Sequence, residues 1–292
     1  MTDSSRGGVV SMFPPSVKGR AEALVAEWCV VPERIEVTRT SVLAFGRRDD
    51  LLVVLKIAVT EGDEWLSGDV IRAFRGHGMV MAYESKPGAA LLERIEPGGN
   101  LSVLALQGDD ERASEILTDV LATMRPVELP HHYSTVADWM KGFDRYTASG
   151  RRDIPADLVD VAHREYEYLC TSQTGTRLLH GDFHHFNVLH DRRRGWLAID
   201  PKGVIGEPEY ELGAVFRNPW HHPDVFADHN VIARRLAVFA KKLGFDRRRM
   251  LRWAFAQAVL SAIWTIEDGC SIDQANQQIC LARVLDAMRD KH

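Results

Sequence analysis

Much that would settle the class of this chain outright is missing from it. The cysteines are few, Cys29, Cys170, Cys270 and Cys280, and no two form a C-x-x-C pair. No disulfide framework or thiolate metal motif is legible, and they read as buried or incidental thiols of a reducing compartment. No window approaches the roughly eighteen uninterrupted apolar residues of a membrane span. The amino terminus, Met1-Thr-Asp-Ser-Ser-Arg6, has no apolar run behind it, so no secretory signal is visible and a cytoplasmic location is expected. Basic charge is not in excess: 36 Lys and Arg stand against 41 Asp and Glu, a net charge of −5. That balance argues against a nucleic-acid partner, which calls for a basic stripe. It suits a cationic small molecule, as it suits many other proteins. Internal repeats and low-complexity runs are also absent.

What is there is an ordinary globular composition, 45% hydrophobic and 26% charged over 292 residues, enough for two modest domains or one large one. Residues 1–16 read as an extended lead-in and 17–30 as a helix. The alternation from Ile35 to Phe45 predicts one half-buried strand, and Leu51–Val59 a second, with a turn at Gly46–Asp50. A helix over 61–75 follows, then strands at Met79–Tyr83 and Ala89–Ile95 about the turn Lys86-Pro87-Gly88. Pro97-Gly98-Gly99 interrupts the regular structure and is taken as the domain boundary, giving domains of 1–97 and 98–292. Beyond it, helical spacing recurs over 110–125, 134–149, 156–172, a short stretch near 210–216, 246–267 and 272–289. In 250–266 the run Leu251, Phe255, Val259, Ile263 and Ile266 marks a buried face.

The stretch His180-Gly181-Asp182-Phe183-His184-His185-Phe186-Asn187 carries the chemistry. Val188-Leu189 and Trp196–Ile199 read as strands joined by a turn at Asp191–Gly195. A hairpin there would draw Asn187 and Asp200 together, with Asp182 in the loop entering it. Two carboxylates and an amide converging in this way can hold Mg²⁺ and orient a hydroxyl, the requirement of phosphoryl transfer. Each has a plainer reading, as a cap, a turn or a strand-end residue; the joint pattern Asp-x₄-Asn with a further Asp at the end of the next strand is harder to dismiss.

Lys56 stands alone in an apolar strand, where it either points to solvent or meets an anion such as nucleotide phosphate. Glu64 is its natural ion-pair partner on the next helix, unless it is a solvated helix-start carboxylate. Lys202 either serves the phosphoryl group or is an ordinary loop lysine. His180, His184 and His185, with His131-His132 and His221-His222, make a transition-metal site conceivable, but loop scaffolding suits them better. Arg192-Arg193-Arg194 reads as a solvated turn tip.

At these residues the sequence resembles the protein-kinase-like small-molecule phosphotransferases, and within them the aminoglycoside/hydroxyurea group that includes streptomycin 6-phosphotransferases. The resemblance rests on LLHGDFHHFNVL (178–189), GWLAIDPKGVIGEPEYELG (195–213), VLKIAV (54–59), LLERIEPG (91–98) and LSAIWTIEDG (260–269). It implies an α+β, bilobal protein-kinase-like fold: a small antiparallel-sheet nucleotide-binding lobe with one packed helix, and a larger, mainly helical lobe for catalysis and acceptor binding. It implies ATP and Mg²⁺ as cofactors and transfer of the γ-phosphoryl group to a hydroxyl of a small molecule such as streptomycin. A kinase of a housekeeping metabolite on the same fold, or a nucleotide-binding pseudokinase, are the alternatives. By position, Asp182 would be the base, Asn187 and Asp200 the Mg²⁺ ligands, and Lys56 the lysine on the nucleotide phosphates. The backbone from Glu93 to Ile95 would meet the adenine. Two features depart from the pattern. There is no G-x-G-x-x-G, only Gly46 in Ala44–Arg47, and one alignment register places Ser67 where another places Glu64. A carboxylate-lined acceptor pocket would draw on Glu207, Glu209, Glu211, Glu267 and Asp268, with Trp264 as an apolar wall, though each acidic residue could equally be surface.

Overall fold

The computed structural model describes residues 13–62, 64–127 and 133–289. His131 and His132 lie outside them, as does the start of the lead-in. The chain forms two compact units. The first is Met1–Gly99 with Met124–Glu128 and His190–Lys202; the second is Asn100–Thr123, Leu129–Leu189 and Gly203–His292. Two later segments thus return to the first unit, a division that the contiguous domains 1–97 and 98–292 did not foresee.

In the first unit, α1 (Lys18–Glu27) leads into β1 (Val31–Val37), β2 (Ser41–Arg48) and β3 (Leu51–Ala58), and α2 (Ser67–Phe74) into β4 (Ala82–Lys86) and β5 (Ala89–Glu93). The five strands make an antiparallel sheet in the order β1-β2-β3-β5-β4. Side chains alternate across it. Val42, Ala44, Val53, Leu55, Ile57 and Leu91 form a core with Phe13, Val17, Ala21 and Trp28, while Lys56, one residue from Leu55 and Ile57, takes the other face.

Three expectations are corrected here. Ile35–Phe45 is not one strand, because Thr38 interrupts it: its hydroxyl accepts from Ser41 N and donates to Ser41 O, both at 2.9 Å, and closes a turn. The helix predicted from 61 begins only at Ser67, since Trp65 N bonds back to Gly62 O (2.9 Å) in a turn. The turn predicted at Gly46–Asp50 starts later, because Gly46 lies inside β2, which runs to Arg48. A Cβ there would stand 2.2 Å from Val31 O, so the glycine permits the close approach of β1 at its bulge.

Pro97-Gly98-Gly99, expected to interrupt regular structure, forms β6 (Pro97–Asn100). The predicted hairpin is present as β8 (Val188–Asp191) and β9 (Gly195–Ala198). From His190 onward it belongs to the first unit. There Arg192 N donates to Glu96 O (2.7 Å), and Val80 N to Ala198 O (2.9 Å).

The second unit is mostly helical: α3 (Ser102–Leu106), α4 (Asp110–Thr123), α5 (Val136–Ala148), α6 (Ala156–Thr171), α7 (Leu212–Phe216), α8 (Pro223–Phe226), α9 (His229–Leu243), α10 (Arg247–Glu267) and α11 (Ile272–Arg289). The predicted apolar face of α10 is buried throughout, Ala254, Ala258 and Ala262 included, and Trp253, Ala256, Gln257 and Leu260 are buried on the opposite side. A helix buried on opposite sides is one enclosed by its neighbours, and its alanines let them come close. Helix α9 was not anticipated, although its punctuation stands in the sequence. Asp228 caps the start by accepting from Asn230 N (2.8 Å) and Val231 N (2.9 Å), and Gly244 ends it at φ 70°. Residues 203–208 contain β10 (Val204–Gly206), paired antiparallel with β7 (Arg177–Leu179).

Candidate active site

The first unit gathers charge around Lys56. Its register opposite Leu43 on β2 and Ala90 on β5 puts a 9% exposed lysine on a covered sheet face. A cation in that place needs anions, and it has two. Lys56 Nζ lies 2.8 Å from Glu64 Oε2 and donates to Asp200 Oδ1. Burial would lower the lysine pKa, but Asp200 and Glu64 together hold it above its ordinary value. Burial likewise pushes Glu64 up, and Lys56 with the Ser41 and Thr40 hydroxyls overcomes this and draws it down to about 2. Those hydroxyls donate at 2.5 and 2.6 Å. Glu64 sits in the turn before α2, not on the helix, while Ser67, the other register's candidate, has a buried hydroxyl without a partner. Lys202 Nζ stands 3.6 Å from Glu64 Oε1 and so joins the cluster. Asp200 has φ 60°, a left-handed conformation that is uncommon outside glycine and concentrates at functional positions.

The arginine run lies exposed at the hairpin turn, as read, and Arg194 also donates from there to the Glu93 carboxylate, to Gly76 O (2.5 Å) and to Met79 O (3.2 Å). Glu93 ends β5, and its carboxylate also accepts from Met81 N (2.8 Å). Burial raises its pKa against those donors. With the carboxylate so engaged, what Glu93 to Ile95 can offer a ligand is backbone.

In the second unit the loop between β7 and β8 holds Asp182 and Asn187, the latter ending a single 3₁₀ turn, His185–Asn187. The loop is fixed from below by Glu211. That residue is 2% exposed, and its two carboxylate oxygens accept from His180 N (2.5 Å) and Gly181 N (3.0 Å). Burial pushes its pKa up to about 7 in spite of those amides. Glu211 is therefore a support of the loop, and its place among acceptor-binding carboxylates is withdrawn. Glu207, fully buried, accepts from Arg249 and Trp253 Nε1 and is withdrawn likewise. Asn187 Nδ2 donates to Asp182 O (3.0 Å) and approaches His184 Nε2 (3.3 Å), which leaves the amide oxygen as its donor to a cation. Asp182 Oδ1 accepts from Arg217 Nη2 (2.9 Å), and Oδ2 lies 3.5 Å from His184 Nε2.

The histidines act as scaffolding. His180 Nδ1 accepts from Asp182 N (3.2 Å) and His184 Nδ1 from Phe186 N (3.2 Å). His185 is fully buried and held neutral by burial and by Arg235. No group of three metal-ligating His, Cys, Asp or Glu side chains occurs among the described residues. The cysteines are free, and none is buried. The sequence reading missed Arg217 and the fully buried Arg235, which donates to Asp110 (2.6 Å), Val215 O (2.9 Å) and Asn218 O (2.8 Å). Of the remaining acceptor candidates, Glu209 is half-buried with its pKa raised by burial. Glu267 pairs with Arg145 at 3.0 Å, and Trp264 packs edge-on to Trp139 at 5.6 Å between centroids. Asp268 is the exposed cap that follows α10.

Known proteins resemble this chain over most of its length. A family described as aminoglycoside/hydroxyurea antibiotic resistance kinase matches residues 27–269. A streptomycin 3''-kinase of Klebsiella pneumoniae is 32% identical over 241 residues, 80% of this chain and 86% of the relative. A streptomycin 6-kinase of Streptomyces glaucescens is 29% identical over 84% of this chain and 80% of its own. Among solved structures, a thermostable mutant of an aminoglycoside phosphotransferase, in ternary complex with ADP and hygromycin B, superposes with a TM-score of 0.65. It covers 91% of this chain and 97% of that one at 15% identity, a likeness of protein-kinase-like fold.

Proposed function

The chain belongs to the aminoglycoside/hydroxyurea antibiotic resistance kinases, and from that membership we propose that it transfers the γ-phosphoryl group of ATP to a hydroxyl of streptomycin. The observation that carries the reading is Lys56, buried against Glu64 at 2.8 Å and against Asp200. A lysine so flanked is poised to exchange a carboxylate for phosphate oxygens. In this reading Lys56 meets the α- and β-phosphates, Glu64 keeps the lysine in place, and Lys202 adds a second cation. The backbone of Glu93 to Ile95 meets the adenine.

Asp182 accepts the proton of the acceptor hydroxyl and orients its oxygen towards phosphorus. The amide oxygen of Asn187 and the carboxylate of Asp200 are hard oxygen donors of the kind Mg²⁺ takes alongside nucleotide phosphates, so they would hold it. When bound, the ion neutralises charge on the phosphates. The rest of the catalysis is positioning by the chain. Both streptomycin kinases above favour that acceptor, a cationic molecule that suits the net charge of −5. Glu209 and Asp268 are the carboxylates offered to its cations, with Trp264 as an apolar wall, while Glu267 pairs with Arg145.

ADP release measured across streptomycin, hydroxyurea, sugars and amino alcohols tests the acceptor. Streptomycin should give the highest turnover, and turnover on a sugar or amino alcohol without streptomycin would replace that acceptor. Asp182→Ala should lower turnover by ~10² to 10⁴ with nucleotide binding nearly intact; unchanged turnover would remove Asp182 from the mechanism.

A further inference from the structure

Glu64 carries two carboxylate oxygens, and each meets one hydroxyl and one lysine. Oε2 accepts from Ser41 Oγ at 2.5 Å and lies 2.8 Å from Lys56 Nζ. Oε1 accepts from Thr40 Oγ1 at 2.6 Å and lies 3.6 Å from Lys202 Nζ. The two lysines are thereby divided between the two oxygens.

The hydroxyls come from the end of the β1–β2 turn, whose backbone is fixed from two sides. Thr38 N and Thr38 Oγ1 both donate to Ser41 O, at 2.8 and 2.9 Å, and Val59 N, just past β3, donates to Thr40 O at 2.8 Å. Ser41 stands opposite Ala58, and Leu43 opposite Lys56, in the register of β2 with β3. Ser41 and Lys56 are therefore diagonal neighbours on one face of the sheet. Ser41 is buried there, and Thr40, being β-branched, is stiff about its first torsion. Glu64 itself lies in the turn before α2, outside the helix. A long side chain loses its rotamer freedom only where its surroundings enforce one geometry, and here two hydroxyls on a fixed turn do so.

We infer that Thr40 and Ser41 are positioning residues for phosphoryl transfer: they fix the rotation of the Glu64 carboxylate and so hold Lys56 and Lys202 at the spacing in which both meet nucleotide phosphate. The inference rests on the reading of Lys56 as the phosphate lysine. A hydroxyl donating to a carboxylate makes a directed, charge-assisted bond, whereas an ammonium is a point charge on a flexible stem. A Glu64 held by the lysines alone would turn about its terminal torsion and let both of them drift, at a cost to phosphates that must be met in one geometry.

The experiment compares the double variant Thr40→Val/Ser41→Ala, the single variants Thr40→Val, Thr40→Ser, Glu64→Ala and Lys56→Met, and the triple variant Thr40→Val/Ser41→Ala/Glu64→Ala, all in the full chain. The acceptor is whichever gives the highest turnover in the panel above. The double variant should lose roughly ten- to hundredfold in kcat/KM for ATP, the worth of hydrogen bonds to a charged group, with KM for the acceptor unchanged. Thr40→Val alone should lose part of this, and Thr40→Ser, which keeps the hydroxyl, almost none. That pair decides the matter if the double variant does not fold. In Glu64→Ala, removing the two hydroxyls should cost nothing further, because a residue acting through another has no effect once that other is gone.

A full kcat/KM for ATP in the double variant, the same value in Thr40→Val as in Thr40→Ser, or a loss that adds fully to that of Glu64→Ala overturns the inference. A Lys56→Met enzyme with normal turnover overturns instead the reading of the phosphate lysine. The two failures are therefore told apart.

Discussion

Lys56 and Arg235 are both buried cations, one in each unit, and they are held in opposite ways. Lys56 is balanced by two carboxylates, and one of them, Asp200, keeps 36% of its side chain exposed. Arg235 has no exposed surface; its bidentate partner Asp110 is 6% exposed, and its remaining donors go to main-chain carbonyls and to the ring of His185. The planar fork matches a carboxylate and two carbonyls at once and has nothing left to offer a ligand. The compact ammonium of Lys56 binds by charge more than by geometry, so another anion can take an oxygen's place. The charge of Arg235 is thus saturated with fixed partners, whereas that of Lys56, the one proposed to act in chemistry, keeps one partner within reach of solvent.

Three measurements would break or sharpen that contrast. The largest effect belongs to Arg235→Ala, which strands Asp110 in the interior and should cost about 3–5 kcal/mol of stability in denaturant unfolding. A loss under about 1 kcal/mol would mean that the pair is not structural. Lys56→Met should behave in reverse. Turnover should fall by roughly 10²–10³, the scale of a lost electrostatic stabiliser, while unfolding shifts less than for Arg235→Ala. Normal turnover in that variant would undo the role given to the lysine.

The third sets Glu211 against Glu64. Glu211 is raised to about 7 in the folded chain from 4.5, so its contribution is complete below pH ~4.5 and is lost as pH rises through ~7, about 3 kcal/mol in all. Glu64 is lowered to about 2 from 4.5, so its contribution is present above pH ~4.5 and is lost as pH falls towards ~2. Stability measured from pH 4 to 8 should therefore lose a downward slope in Glu211→Gln. A variant with the parent's slope would show that Glu211 does not titrate in that range.

The residues legible in the sequence were those whose chemistry conflicts with their setting. Lys56 stood out in an apolar strand, and Asp182, Asn187 and Asp200 punctuated strand ends at a fixed spacing. Helix α10 was legible because its apolar positions recur with the helical period. What escaped depends on partners distant in sequence. Arg217 follows a short helix with no pattern around it, and its target is 35 positions earlier. Arg235 lies on a helix whose capping signals, Asp228 and Gly244, and apolar spacing, Ile232, Leu236 and Phe239, were all present, but a charge on its buried face finds its partner only in the fold. Glu211 looked like one more acidic residue in an acidic run. Only the amides of His180 and Gly181, 31 and 30 positions away, distinguish it. Arg194 looked like one charge among three, and the carbonyls of Gly76 and Met79 distinguish it.

The return of His190–Lys202 to the first unit has a consequence for how the protein is made. Lys56 is separated by 144 residues from Asp200. A ribosome adding about 5–20 residues each second therefore leaves the lysine roughly 7–30 seconds with Glu64 as its sole carboxylate of the pair. The nascent amino-terminal sheet can form early, but it must carry that half-balanced cation until the hairpin and the segment behind it emerge. An excised fragment ending at residue 99 would remain in that condition permanently, with neither Asp200 nor Lys202. The cluster proposed to handle the nucleotide is for this reason a property of the whole polypeptide, and no amino-terminal piece can be expected to bind as a detachable module.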